Sequence, residues 1–196
     1  MKDYASDVVV TPHPPFSFAA EATPSVVPPT DVQPKQVTMV GGLRPDKGSI
    51  DLPAIARASG GGWTLLIAGP DVLTVEVAEA VRDAGVNIKY ATDSMPPTDD
   101  ELRAAMKGSR VMLAPYRLVT ESGSVLLALS LEVPVLGYFS TALSRVVAES
   151  ALAESPEELG QKLKRFLKEP WETFRLSPAQ LALESRQGWE AALARR

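Results

Sequence analysis

The sequence lacks cysteine altogether and contains a single histidine, His13, in 196 residues. A chain without thiols cannot form disulfides or zinc–thiolate sites, and it has no cysteine nucleophile. His13 lies among prolines, has no evident partner, and gives no support to a Ser-His-Asp triad. Asp-x-Asp pairs are also missing, so we predict that no metal is used. The lack of cysteine fits a reducing compartment, and we expect a cytoplasmic protein.

Long apolar runs and an excess of positive charge are missing as well. No run approaches the roughly 20 residues that span a bilayer, and the first residues lack the layout of a secretion signal. The net charge is -4 and the pI is about 5.1, so no basic field attracts nucleic acid. We expect no transmembrane segment and no nucleic-acid partner, and any anion must be bound locally. The length and the 45% hydrophobic content fit one main domain.

Prolines dominate the first 35 residues. Val8, Val9 and Val10 form a brief strand-like run, and prolines recur from Pro12 to Pro34. Because proline has no N–H and a fixed φ, this stretch favours an extended linker rather than a sheet. We expect organised structure to resume near Gln36.

Short strand-like runs alternate with helical patterns beyond that point. This alternation predicts an α/β fold, a Rossmann-like doubly wound parallel sheet. Capping boxes support the helices, because Ser or Thr stands three residues before Glu or Gln in each of them. A final helix is predicted from Ala179 to about Arg195, with Trp189 and Leu193 one turn apart. The predicted strands are 37–40, 65–68, 86–90, 111–114 and 133–136, and the boxes begin at Thr98, Ser155 and Ser177.

Two small-residue turns follow predicted strands and each opens a helical segment. The first, residues 41–48, contains Gly41 and Gly42 and the cations Arg44 and Lys47. A helix start offers unpaired N–H groups and partial positive charge, and glycine lets a phosphate approach the backbone. The spacing matches neither a dinucleotide fingerprint nor a P-loop, so neither nicotinamide nor ATP chemistry is favoured. Such glycines also occur for turn geometry alone.

The second turn, residues 120–124, contains Ser122, Gly123 and Ser124. Because strand ends of an open α/β sheet meet at one edge, the two turns are predicted to face one cleft and to grip a diphosphate. Tyr116 lies near the same strand end, and the sequence leaves open whether it faces the cleft or packs on the sheet edge.

Five runs resemble, in order, the carboxyl-terminal half of family 4 glycosyltransferases. They are 40–48, 63–69, 97–106, 111–117 and 121–134, and residues 122–129 are similar to an exopolysaccharide-type subgroup. The resemblance implies a GT-B fold, of which this half binds the nucleotide-sugar donor. It also implies transfer of a sugar from a nucleotide-diphosphate sugar to a glycan or lipid-linked acceptor, with retention, without a metal, and with no cofactor besides the donor substrate. Such an enzyme is cytoplasmic or peripheral to the inner membrane.

The resemblance also implies roles for single residues. Arg44 and Lys47 are expected to hold the diphosphate and stabilise the leaving group, and Glu121 to contact the donor sugar. Gly41, Gly42 and the backbone of Ser122, Gly123 and Ser124 complete the expected donor site. The catalytic set is therefore Glu121, Arg44 and Lys47.

Two positions depart from the family pattern. Gly42 replaces the usual arginine after the first glycine, so Arg44 substitutes from two positions later. The second glutamate of the family, which is expected to hold the ribose, falls on Leu129 or, with one residue missing, on Ala128. Neither side chain accepts a hydroxyl, and Glu132 lies almost a turn too far to replace it.

The resemblance divides the chain into three parts. Residues 1–35 are the interdomain linker and the end of an acceptor-binding domain, 36–170 are the donor-binding domain, and 171–196 form a helix that docks across to the acceptor domain. That domain is supplied in cis or in trans, and we expect the chain alone to be inactive in transfer.

Two other functions remain open at this stage. A degenerate donor domain could serve as a non-catalytic binding or assembly module, which the missing second glutamate favours and the presence of Arg44, Lys47 and Glu121 opposes. A nucleotide-sugar epimerase on the same fold would require catalytic acids that the sequence does not show. Glu121 is also a common residue type at a helix start, where it pairs with the dipole.

Overall fold

A computed structural model describes residues 32–92, 96–119 and 122–193 of the chain. Three interpretations lie outside the described residues: residues 1–31 of the linker predicted for 1–35, His13, and Glu121 as a sugar contact. The helices and strands below belong to the described parts of the chain.

The described strands form one six-stranded parallel sheet in the order β3-β2-β1-β4-β5-β6. The predicted Rossmann-like doubly wound α/β class is therefore confirmed. Val37 of β1 pairs with Leu65 on one side and Val111 on the other, and all three are fully buried. The strands are β1 Gln33–Val40, β2 Thr64–Ala68, β3 Asn87–Tyr90, β4 Ser109–Ala114, β5 Val135–Tyr138 and β6 Leu152–Ala153.

The sheet has one strand more than predicted. Strand β6 pairs with β5 through Gly137 and Leu152, but its two residues are too few to give a period-two pattern. Strand β1 also begins at Gln33 rather than Val37, since its first residues are polar and exposed and carry no apolar signal.

The described residues contain six α-helices. Helix α1 packs on α2 and extensively on α5. Because parallel crossovers are right-handed, the reversed direction of the connections to β4 and β5 puts α3 and α4 on the other face. The helices are α1 Leu52–Ser59, α2 Val75–Asp83, α3 Asp99–Lys107, α4 Gly123–Ser130, α5 Pro156–Lys168 and α6 Pro178–Leu193.

The predicted capping boxes hold in two places and differ in one. Thr98 with Glu101, and Ser177 with Gln180, exchange both hydrogen bonds. Ser155 accepts from the Glu158 N–H, but the Glu158 carboxylate accepts from the Glu154 N–H instead of the cap residue.

The stretch before α6 is anchored to the sheet. The buried Thr173 hydroxyl oxygen accepts a hydrogen bond from the Val135 N–H at 3.0 Å. Phe174 forms an antiparallel bridge with Val147, and the Arg175 N–H donates to the Val146 carbonyl at 2.8 Å. The chain therefore stays on the domain beyond position 170, and α6 begins only at Pro178. None of the helices in the described ranges is long and apolar enough to cross a bilayer.

Strand order reverses between β1 and β4. Both strands run in the same direction, so Val40 and Ala114 end at the same edge of the sheet. Ligands of open α/β sheets bind at such a reversal, beyond the carboxyl ends of the strands. The two predicted turns follow these two strands.

Candidate functional site

The β1 loop, residues 41–48, is held by hydrogen bonds to residues at and just after the end of β2. Gly41 has a φ of 97°, which favours glycine, and its N–H donates to the Ala68 carbonyl at 3.0 Å. The Leu43 N–H donates to an Asp71 carboxylate oxygen at 2.9 Å. These two backbone donors are thus already used by the protein.

The helix after this loop starts later than the sequence suggests. Two single turns of 3-10 helix, Pro45–Lys47 within the loop and Ser49–Asp51 after it, come before α1. Gly48 between them has a left-handed backbone, which interrupts the helix. The positive end of α1 therefore does not lie directly at Gly41 and Gly42, and the side chains of the loop supply its positive charge.

Gly48 also brings the β1 loop against the exit of β4. A Cβ atom at this position would lie 2.0 Å from the Pro115 carbonyl oxygen, so only glycine fits. The Arg117 N–H donates to the Asp46 carbonyl at 2.9 Å. The loop and the β4 exit are therefore one packed unit.

The predicted helix start after the second turn is confirmed. Ser122 is the N-cap of α4, and its Oγ accepts from the Val125 N–H at 3.4 Å. Gly123 and Ser124 lie in the first turn, where backbone N–H groups and the helix dipole favour an anion.

Tyr116 joins the two turns. Its side chain is 2% exposed, and its hydroxyl lies 3.3 Å from the Val40 carbonyl oxygen and 2.9 Å from Ser124 Oγ. Ser124 Oγ in turn lies 3.2 Å from Ser122 Oγ. Of the two placements that the sequence left open, Tyr116 combines both, since the ring is buried and the hydroxyl reaches the predicted site.

Lys47 lies on the same tyrosine. Its Nζ is 4.3 Å from the centre of the Tyr116 ring, within the range of a cation–π contact. The structure therefore brings Lys47 of the first turn and Ser122 and Ser124 of the second turn together around Tyr116. Burial raises the pKa of the Tyr116 phenol, which keeps the ring neutral and the hydroxyl protonated.

Arg44 is held differently. Its guanidinium binds both carboxylate oxygens of Asp46, at 3.0 and 2.9 Å, and its side chain is 65% exposed. The hydrogen bond between them lowers the pKa of Asp46 and raises the pKa of Arg44. Arg44 is near the predicted site, but its fork of donors already has an anionic partner.

Sequence reasoning missed a second ion pair at this edge. Arg117 donates from Nε and a terminal nitrogen to the two oxygens of Asp51, at 2.9 and 2.5 Å. The Asp51 side chain is buried, while that of Arg117 is half exposed. Burial, together with the Asp51 carboxylate, raises the pKa of nearby Tyr138. Only the three-dimensional packing reveals this pair, because the partners are 66 residues apart.

Helix α4 offers no carboxylate for a ribose. Leu129 and Ala128, the two positions expected to match the second family glutamate, are buried in the core. Glu132 follows the helix in a left-handed conformation (φ 55°) and precedes β5, so it lies at the opposite edge of the sheet. Within the described ranges, no group of three or more His, Cys, Asp or Glu residues could hold a metal ion.

The described residues thus form a doubly wound α/β domain with a lysine and a helix start at the switch point of its sheet. No family model and no curated protein sequence matches the chain. Solved structures do match, and several of them are glycosyltransferases.

Three of these structures illustrate the similarity. TarM of Staphylococcus aureus, in a complex that contains UDP, gives a TM-score of 0.59 at 12% identity over 84% of this chain and 35% of TarM. The C-terminal domain of LpcC, a group 1 glycosyltransferase of Francisella tularensis, gives 0.55 at 12% identity over 82% and 85%. The catalytic domain of the Helicobacter pylori cholesterol-α-glucosyltransferase gives 0.50 at 18% identity over 81% and 98%.

These similarities establish the fold. The chain has the fold of the C-terminal domain of GT-B glycosyltransferases. It spans about a third of the length of TarM.

Proposed function

We propose that this chain is the donor-binding half of a glycosyltransferase, and that it binds the diphosphate of a nucleotide sugar between Lys47 and the first turn of α4. The observation that carries the proposal is the convergence of both groups on Tyr116, at the switch point of the sheet. The similar fold of TarM, whose structure contains UDP, supports a nucleoside diphosphate as the ligand.

The chemistry follows from charge. When the bond between the anomeric carbon and the diphosphate oxygen breaks, the departing nucleoside diphosphate takes up the electron pair and gains negative charge. An ammonium and a helix N-terminus that are already in place stabilise that charge without reorganisation. The acceptor oxygen forms the new bond to the sugar, and its proton passes to the departing diphosphate oxygen. Retention, independence of a metal and the contact of Glu121 with the donor sugar are part of this proposal.

The acceptor side belongs to another domain, in cis or in trans. Trp189 and Leu193 lie on one side of α6 and are 55% and 61% exposed. We propose that this face docks onto the acceptor-binding domain and that the isolated chain binds donor without transferring sugar. The whole enzyme acts in the cytoplasm, or at the inner membrane for a lipid-linked acceptor in polysaccharide biosynthesis.

Calorimetry with UDP, GDP and ADP tests the proposal. We expect at least one of them to bind the chain with a submillimolar Kd. Lys47→Ala should weaken that binding about 10- to 100-fold, because a charge-assisted hydrogen bond to phosphate contributes about 1.5–3 kcal/mol. Lys107→Ala removes the same charge from an exposed position at the end of α3 and should leave the Kd unchanged.

A second candidate function has support from the same site. The Asp46 partner of Arg44 and the buried Leu129 are features expected of a degenerate donor domain that serves as a binding or assembly module. Absence of binding for all three nucleotides would favour the module and overturn the proposed donor site.

A further inference from the structure

We infer that Tyr116 is a positioning residue of the anion site: its ring holds the Lys47 ammonium, and its hydroxyl locks the first turn of α4 to the end of β1. The inference rests on the proposed function, because it names the residue that keeps the two halves of that donor site in one geometry.

The hydrogen-bond chain through Tyr116 has only one possible direction. The Val40 carbonyl can only accept, so Tyr116 must donate to it, at 3.3 Å. The Tyr116 oxygen then accepts from Ser124 Oγ at 2.9 Å, and Ser124 accepts from Ser122 at 3.2 Å. Ser122 receives the Val125 N–H. One hydroxyl thus fixes the orientation of both serines at the start of α4.

The ring solves a separate problem for Lys47. A lysine side chain is flexible, and the Asp46 carboxylate next to it could capture its ammonium. Arg44 occupies both oxygens of Asp46, and among the described residues no ion pair holds Lys47. The ammonium lies instead 4.3 Å from the ring centre, where a cation–π contact orders it without adding negative charge. A diphosphate therefore meets a lysine that is in place and has no carboxylate to displace.

The two tasks can be separated by substitution. Tyr116→Phe keeps the ring and removes the hydroxyl, whereas Tyr116→Leu removes both. We expect UDP, or the nucleotide that binds best, to bind about 3-fold more weakly to the Phe variant and about 10- to 30-fold more weakly to the Leu variant. Tyr90→Leu, at the end of β3, removes a tyrosine from the same edge of the sheet without touching Lys47 and should leave the Kd unchanged.

A double-mutant cycle separates positioning from folding. In a Lys47→Ala background the difference between the Phe and Leu variants should vanish, because no ammonium remains to be held. If that difference persists, or if Tyr116→Leu binds as tightly as the wild type, the inference is wrong while the donor site stands. If the wild type binds no nucleoside diphosphate, the proposed function and the inference both fail.

A measurement without nucleotide checks the contact itself. Reductive methylation with carbon-13 labels Lys47, whose signal is assigned by its loss in Lys47→Arg. The ring current of Tyr116 should shift that signal upfield in the wild type and in Tyr116→Phe, and the shift should disappear in Tyr116→Leu. An unshifted Lys47 signal in the wild type overturns the inference whatever the binding data show.

Discussion

The two turns at the switch point use their polar groups in opposite ways. In the β1 loop, nearby carboxylates bind Arg44 and the Leu43 N–H: Arg44 pairs with Asp46, and the Leu43 N–H donates to Asp71, which follows β2. The start of α4 reaches outward, through Ser124, to Tyr116 and the end of β1. The comparison shows that the presence of a cation in a glycine-rich turn does not determine its availability, which depends on the carboxylates nearest to it.

Gly48 provides the largest expected effect, and it tests how far the β1 loop depends on the β4 exit. Gly48→Ala should destabilise the fold by about 3 kcal/mol or more, because a left-handed alanine costs about 1–2 kcal/mol and its Cβ also meets the Pro115 carbonyl. Urea unfolding measures the loss.

Gly62→Ala is the matched control for this substitution. Gly62 has a φ of 76°, close to that of Gly48, but a Cβ there has no atom within 4 Å. The control should lose only the backbone contribution, about 1–2 kcal/mol. Equal losses in the two variants would show that the contact with Pro115 carries no energy.

Substitutions of Arg44 and Asp46 test whether their ion pair keeps Arg44 from binding phosphate. If Asp46 withholds the guanidinium, Arg44→Ala should weaken nucleotide binding less than Lys47→Ala does, by about 3-fold or less. Asp46→Asn should strengthen binding, because it frees Arg44 and removes a negative charge near the site. Calorimetry at low and high salt measures both. A larger effect of Arg44→Ala than of Lys47→Ala would reverse the comparison.

Unfolding at alkaline pH tests how much the buried, protonated Tyr116 contributes to stability. Burial raises the pKa of Tyr116 above its value of 10.0 in the unfolded chain. The unfolded state therefore loses this proton first, so the stabilisation is complete below pH 10 and is lost as pH rises through the folded-state pKa. Urea midpoints should fall above pH 10, and less steeply in Tyr116→Phe. An identical slope in the variant would show that Tyr116 titrates alike in both states.

The smallest effect is expected for the ribose. Leu129 and Ala128 are buried, so α4 presents no carboxylate to the 2′-hydroxyl. UDP and 2′-deoxy-UDP should then bind within about twofold of each other, less than the contribution of one hydrogen bond. A tenfold preference for UDP, seen in competition calorimetry, would mean that a group outside α4 reads the ribose.

The sequence predicted the class of fold, but not the hydrogen-bond and ion-pair partners of the residues at the switch point. Alternation of apolar runs with capped helices was enough for the sheet, because both signals are local. Strand β6 was not predicted, because two residues are too few to show an alternating apolar pattern. The carboxylate partners of Arg44, Leu43 and Arg117 were not predicted either. Charge and spacing in the sequence do not tell which carboxylate a side chain or a backbone amide will contact.

Some of the candidate site could be inferred from the sequence. The helix start at Ser122 was predicted, and the structure confirms it. Lys47 of the first turn and Ser124 of the second both contact Tyr116, while the shared diphosphate cleft stays a prediction. The role of Tyr116 was not predicted. Its ring contacts Lys47 and its hydroxyl contacts Val40, and both partners lie about 70 residues away in the chain. Glu121 stays a prediction.

The anchoring of Thr173 and Arg175 has a consequence for cutting the chain. A protein shortened at Leu176 would lose the terminal helix but keep the hydrogen bonds of the Val135 amide and the Val146 carbonyl. A protein shortened at Pro170 would leave both groups without these partners and would expose this side of β5 to solvent. The smallest autonomous folding unit therefore extends past α5 and includes this stretch, and Leu181 of α6 adds a buried side chain to the same core.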